Sequence, residues 1–283
     1  MNPEVLIIGC GFLGEAAADL FSTRGKRVLG LVKNHDSMRA FEGKSFDSAT
    51  CDITSPADVD SMTDRLKGVE LAIYSVSSGG AGAEAYAVLY REGLRRVLTA
   101  WRPQRVLFVS STSVYAQTDG DWVTEESPTQ PERDTGKILL EAEEIALNFG
   151  GSVLRLSGIY GPGRSVLLRK FLSGEAVLEN GGSRWINQIH RDDAAAAMLK
   201  LSETGISSGI YNVSDDRPAT QKEIYEWMAG FLKRPLPHDG IDEMKRKRGW
   251  TSKKVSNRKL HGTGWVPRFP SYRDALPLLG FPN

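Results

Sequence analysis

Close to the start of this 283-residue chain, Gly9-Cys10-Gly11-Phe12-Leu13-Gly14 separates a short apolar run, Val5-Leu6-Ile7-Ile8, from an Ala-rich stretch. In that stretch Ala16, Ala17, Leu20 and Phe21 recur at helical spacing. No other feature restricts the fold as much. A continuous apolar run of this length reads as a strand covered on both faces. Glycines placed directly after it imply a tight turn and a helix packed hard against the strand. Gly25 ends that helix, and Arg27–Val32 reads as a second strand. Strand, helix and strand in this order make a parallel unit with a right-handed crossover.

The alternation continues along the chain. Ser45–Asp52 reads as a weaker third strand, Pro56–Leu66 as a helix capped by Ser55, and Glu70–Val76 as a strand. Ala83–Trp101 follows as a long helix and Arg105–Ser110 as a buried strand. Lys137–Leu147, Ser152–Leu156, Asp192–Ser202 and Gly209–Val213 then read as helix, strand, helix and strand. This predicts an α/β chain with a doubly wound parallel sheet. Beyond Pro235 the periodicity fades among prolines, which predicts a smaller, mostly helical C-terminal lobe. Its first helix is expected at Ala219–Leu232 with Thr220 as N-cap. The expected division is 1–160 plus 185–214 for the dinucleotide-binding domain and 161–184 plus 215–283 for the substrate lobe.

Composition excludes several classes. Lys and Arg number 36 against 35 Asp and Glu, so no general basic excess points to nucleic acid. Cys10 and Cys51 lack the paired spacing of a zinc site, so no metal is expected, and two lone cysteines suit a reducing cytoplasm. No run reaches the roughly 18 apolar residues of a membrane span. Met1-Asn2-Pro3-Glu4 has no basic leader, so a secretion signal is not expected either.

In the glycine loop, Gly9 permits the tight turn, Gly11 lets backbone approach a pyrophosphate, and Gly14 lets helix pack on strand. The phosphates would sit at the helix N-terminus, against free N–H groups and the favourable end of the dipole. Phe12 and Leu13 within the loop, and Val76 after the fourth strand, complete the expected cofactor wall. About 20 positions after Gly14, where an acid commonly reads the ribose hydroxyls, stand Lys33 and Asn34. A cation and an amide there favour NADP(H), with NAD(H) the alternative.

Further motifs resemble the extended short-chain dehydrogenases/reductases of the NAD(P)-dependent epimerase/dehydratase group. Ser110-Ser111-Thr112-Ser113-Val114-Tyr115 resembles that family's strand end, and Asp52-Ile53 the pair that brackets the adenine. Arg155 to Gly163, with Tyr160-Gly161-Pro162-Gly163, resembles the strand and loop beside the nicotinamide. Ile189-His190-Arg191-Asp192-Asp193 and Tyr211-Asn212-Val213 resemble two later segments. The resemblance implies a Rossmann fold and a catalytic Ser, Tyr and Lys. The serine is then Ser111 and the lysine Lys137, but the position of the family tyrosine holds Arg133, which cannot donate a proton near neutral pH. The loss of that tyrosine resembles the atypical, tyrosine-lacking YeeZ-type branch. Tyr115 and Tyr160 are the candidate substitutes for the acid, and Arg133 could instead bind a substrate anion.

The resemblance further implies a small-molecule substrate, with nucleotide-sugars the class to consider, and a homodimer as the assembly to consider. Arg164, leaving the Gly161-Pro162-Gly163 loop, is the expected ligand of a substrate anion. A basic run from Lys245 to Lys259 reads first as solvated surface and second as a polyanion site. His190 is expected to be structural, and Asp192 or Asp193 to cap the Ala-rich helix that follows.

Overall fold

The computed structural model describes residues 2–80, 82–240 and 251–279. Seven strands form the central sheet: β1 (Val5–Ile8), β2 (Val28–Val32), β3 (Asp47–Thr50), β4 (Leu71–Tyr74), β5 (Arg105–Ser111), β6 (Ser152–Leu156) and β7 (Ile210–Val213). Their order is β7-β6-β5-β4-β1-β2-β3, and every neighbouring pair is parallel. The chain works outward from β1 in one direction and from β4 in the other. The crevice above the C-terminal ends of β1 and β4 is therefore the topological switch point, where such sheets bind ligands. In register, Ile8 lies between Leu31 and Tyr74, which brings the loop after β1 beside the loop after β4.

Strands β1, β2, β4 and β6 are buried at every position, as expected of strands covered on both faces. One face packs on Leu94, Val97, Leu98 and Trp101, and on Ile138, Leu139 and Ala142. The other face is covered by α1 (Phe12–Thr23) and by the helix Arg191–Leu201. There the small side chains Ala17, Ala18, Ala194 and Ala197 are fully buried beside Phe21 and Met198. A third cluster, separate from the sheet, gathers Tyr160, Phe171, Ile224, Tyr225, Met228, Phe269 and Tyr272. The helix at its centre is Gln221–Leu232, with Thr220 and Glu223 forming a reciprocal capping box.

Two expected helices are modified by contacts from elsewhere in the chain. The stretch Ala83–Trp101 carries a π-helical turn at Ala87–Gly93. Tyr74 of β4 donates its hydroxyl to the Leu89 carbonyl, and Gly93 leaves room for it: a Cβ there would lie 3.0 Å from Tyr74 Oη. A side chain entering the carbonyl ladder is a recognised cause of such bulges. The Pro56–Leu66 stretch splits at Met62, where the Val59 carbonyl accepts from the Trp101 indole and the Thr63 hydroxyl.

Candidate functional site

The three loop glycines differ in what surrounds them. Gly9 has φ +84°, and a Cβ there would lie 2.6 Å from Val76 Cα. A Cβ on Gly14 would lie 2.6 Å from the Gly9 carbonyl oxygen, so α1 can approach β1 only without a side chain at that position. A Cβ on Gly11 would meet nothing within 4 Å. Two glycines thus close the loop, and the middle one faces open space at the start of α1. Gly11 is the N-cap and no side chain bonds the helix terminus. Its first N–H groups have no intrahelical acceptor. This is the cradle that a pyrophosphate needs, and the residues present fit it.

At the ends of β2 and β3, Lys33 Nζ lies 3.2 Å from Asp52 Oδ2, with the Lys33 side chain 70% exposed. Burial works against ionisation of Asp52, but bonds from the Thr54 hydroxyl and N–H and from Lys33 hold its carboxyl below the ordinary range. Asn34 is occupied as an N-cap, its Oδ1 accepting from the Ser37 N–H at 3.0 Å. Ile53 is buried in the core against Gly93, so it offers little side chain to the crevice. Val76 does stand against the glycine loop, and its carbonyl accepts from the Tyr90 hydroxyl.

Ser111 ends β5, and its Oγ accepts from the Ser113 N–H at 3.2 Å, capping the short turn Thr112–Val114. Tyr115, directly after that turn, is fully buried. Its hydroxyl donates to Asn212 Oδ1 and accepts from Arg155 Nη1, both at 2.9 Å, and the Arg155 guanidinium also stacks over its ring. As placed, it would have to break two buried hydrogen bonds to reach a substrate. Burial also raises the Tyr115 phenol above its ordinary range.

Arg133 is the exposed N-cap of α2 (Asp134–Asn148), and its side chain makes no capping bond. One turn on, the exposed Lys137 pairs with Asp134 at 3.2 Å. It opens onto a groove of about 530 Å³ lined by Thr129, Gln130, Pro131, Leu140, Glu141 and Glu144, none of them in the glycine loop.

Tyr160 is also buried, packed edge-on against the His190 ring at 5.4 Å, and its hydroxyl has no partner among the described residues. Burial, with Asp215 and Asp193 nearby, raises the Tyr160 phenol far above the ordinary range. Arg164 lies over the Phe12 ring at 5.0 Å, and Arg191 over the same ring at 5.0 Å. Both guanidiniums therefore gather at the first residue of α1. Arg191 was not singled out from the sequence; its position one residue after Ile189-His190 was the available clue.

The cap of the Arg191–Leu201 helix differs from expectation. His190 supplies it, with Nδ1 accepting from the Asp192 N–H at 3.2 Å. Asp193 turns inward instead, accepting from the N–H groups of Arg268 at 2.7 Å and Phe269 at 3.0 Å. The basic run is not one solvated face. Lys253 is buried, Lys254 lies over the rings of Trp122 and Trp185, and Lys259 lies over Tyr211. Lys245, Arg246, Lys247, Arg248 and Trp250 lie outside the described residues. No helix among the described residues is long and apolar enough to cross a membrane.

Residues 5–214 match the model of the family described as NAD dependent epimerase/dehydratase. The chain is 30% identical to Protein YeeZ of Escherichia coli K12 over 235 residues, covering 81% of this chain and 84% of that protein. It is similar to a structure from Methylobacillus flagellatus provisionally described as an NAD-dependent epimerase/dehydratase, at 30% identity and a TM-score of 0.80 over 99% of this chain and 98% of that one. MoeE5, solved in complex with UDP-glucose and NAD, superimposes with a TM-score of 0.79 over 96% of both chains. At 22% identity that likeness speaks for the fold alone.

Proposed function

The chain belongs to the NAD dependent epimerase/dehydratase family, and from that premise we propose that it is an NADP(H)-dependent oxidoreductase or epimerase. It would act on a hydroxyl or carbonyl of a small phosphorylated or nucleotide-linked substrate. One observation carries the reading: Gly9 and Gly14 are sterically locked while Gly11 faces open space at an uncapped helix start. The bound dinucleotide would supply hydride exchange at its nicotinamide. MoeE5, which shares the fold, holds UDP-glucose and NAD, and this supports the class of cofactor and substrate considered.

The chain's own residues take these roles. Ser111 Oγ accepts a backbone N–H, which leaves its proton free to donate to a reacting oxygen. Lys137 holds the nicotinamide ribose. Its i,i+3 pair with Asp134 is exposed on both sides, and such pairs contribute at most about 1 kcal/mol, so a ligand can displace it. Arg164, with Arg191, meets an anion at the start of α1.

Lys33 reads the 2′-phosphate by the same reasoning, since its pair with Asp52 is largely solvated on the lysine side. Lys33→Ala is expected to weaken NADPH by about tenfold or more, the scale of a charged hydrogen bond, and to leave NADH nearly unchanged. Comparing the two cofactors by calorimetry in both proteins tests this, and equal losses would remove the role.

A second reading is favoured by Arg133 and by the buried commitment of Tyr115: a protein that binds the cofactor and signals its presence without turnover. It predicts that Arg133→Tyr creates carbonyl reduction where the wild type shows none. Substantial wild-type turnover with any carbonyl in a broad panel would sink it.

A further inference from the structure

The Gly9 carbonyl oxygen accepts two hydrogen bonds, from the Gly11 N–H at 2.8 Å and from the Ser75 hydroxyl at 3.0 Å. A carbonyl has two lone pairs, so both are used. The same hydroxyl lies 3.4 Å from the Ile8 carbonyl, which makes the Gly9 oxygen its nearer acceptor. At the other end of the Gly9–Cys10 peptide, the Cys10 N–H donates to the Leu31 carbonyl at 2.8 Å. The N–H groups of Phe12, Leu13 and Gly14 have no backbone acceptor among the described residues. This peptide is thus fixed at both ends, while the donors just beyond it stay unbonded at the start of α1. Of the bonds that fix it, only the one from Ser75 comes from a side chain.

Ser75 is itself firmly held. It follows β4 directly, and its N–H donates to the Ile8 carbonyl at 2.8 Å. On one side of it the Tyr74 hydroxyl donates to the Leu89 carbonyl, and on the other the Val76 carbonyl accepts from the Tyr90 hydroxyl at 3.0 Å. Leu89 and Tyr90 both belong to the π-helical turn Ala87–Gly93. Residues 74–76 therefore join the glycine loop to the helical stretch 83–101. The consequence is electrostatic. A carbonyl oxygen carries partial negative charge, and one turned toward the start of α1 would repel a pyrophosphate there. Gly9, at φ +84°, opposes such a turn less than any other residue would. The Ser75 hydroxyl supplies the restraint that the glycine lacks.

We propose that Ser75 is a positioning residue for the dinucleotide: its hydroxyl holds the Gly9 carbonyl away from the pyrophosphate and keeps the start of α1 ready to receive it. The proposal rests on the reading of the glycine loop as the cofactor cradle. It assigns Ser75 no contact with the cofactor; the hydroxyl acts through the Gly9 peptide.

The test compares the full chain as wild type, Ser75→Ala and Ser75→Thr. Calorimetry gives the affinities for NADPH and NADH, and NMR follows adenosine, a probe without the pyrophosphate. Ser75→Ala is expected to lose about fivefold in dinucleotide affinity, the scale of one hydrogen bond, and to bind adenosine nearly as well as wild type. Ser75→Thr keeps the hydroxyl and should recover most of the loss. In the cofactor-free protein, hydrogen exchange at the Cys10 and Gly11 amides should quicken in Ser75→Ala. A hydroxyl that acted only by touching a phosphate would leave that exchange unchanged, and such a result would overturn the proposal. Equal weakening of adenosine and the dinucleotides would also overturn it, as general damage to the crevice. A Cβ on Gly14 would lie 3.1 Å from Ser75 Oγ, so space there is limited. The exchange and adenosine readouts decide even if threonine does not fit. Wild type that binds neither dinucleotide would remove the cofactor reading and this proposal with it. Wild type that binds, with Ser75→Ala binding equally well, would remove the proposal alone.

Discussion

Glu143→Ala is expected to remove about 3–5 kcal/mol of stability and to lower Tm by on the order of 10 °C, which urea and thermal denaturation would measure. Glu143 on α2 is 2% exposed. Its carboxylate accepts from Arg155 Nε at 3.0 Å and Nη2 at 2.6 Å, and also from the Ser110 hydroxyl. Arg155 continues to the Tyr115 hydroxyl, Tyr115 to Asn212, and Asn212 Nδ2 to the Ser256 carbonyl at 3.2 Å. One network thus ties α2 to β5, β6, β7 and the segment that carries Lys253. Deleting the carboxylate strands a buried guanidinium, which is why the single variant suffers. Replacing Glu143 and Arg155 together with methionine removes both charges, and is expected to recover most of the loss. A Tm for Glu143→Ala within about 2 °C of wild type would show that water or rearrangement satisfies Arg155, and the network would not hold the sheet together as described.

The sheet was readable from the sequence for a simple reason. Strands buried on both faces, such as Leu71–Tyr74 and Ser152–Leu156, are selected for apolar or small residues at nearly every position, so they appear as runs. The glycine loop was readable because its requirements are local. Features set by distant partners were not. The π-helical turn after Tyr86 depends on a tyrosine from β4. Asp193 looked like a helix cap and instead serves the backbone at 268–269. Tyr115 lies in a motif that suggests chemistry, but its hydroxyl is claimed by Arg155 and Asn212 from the next two strands of the sheet. Lys253 sits in a run of bases that reads as solvated surface. The approach of Trp185 and Asn187 to its segment helps make it a buried, weakened base.

Gly11→Leu is expected to reduce dinucleotide affinity at least a hundredfold while leaving Tm within a few degrees of wild type. The three loop glycines are equivalent letters in the motif, but their environments separate folding from binding. At Gly9 a side chain meets Val76 backbone at 2.6 Å and sits at φ +84°, so substitution there strains the turn itself. At Gly14 it meets the Gly9 carbonyl at 2.6 Å and pushes α1 off the sheet. Variants at either position would lose stability and binding together, and would say little about function. Gly11 has φ −104°, a sign that L-residues adopt, and its Cβ would have open space around it. A leucine there meets no steric block, and its cost to the fold is that of a poor N-cap residue, about 1 kcal/mol. It places a branched side chain where a pyrophosphate must approach the helix N-terminus, and it replaces a hydrated anion site with an apolar group. Wild-type affinity of Gly11→Leu for both NADPH and NADH would mean that the loop is a structural turn and that the crevice above β1 and β4 does not hold the dinucleotide there. A folded variant that binds neither would place the cofactor against this one residue, on a measurement independent of any substrate.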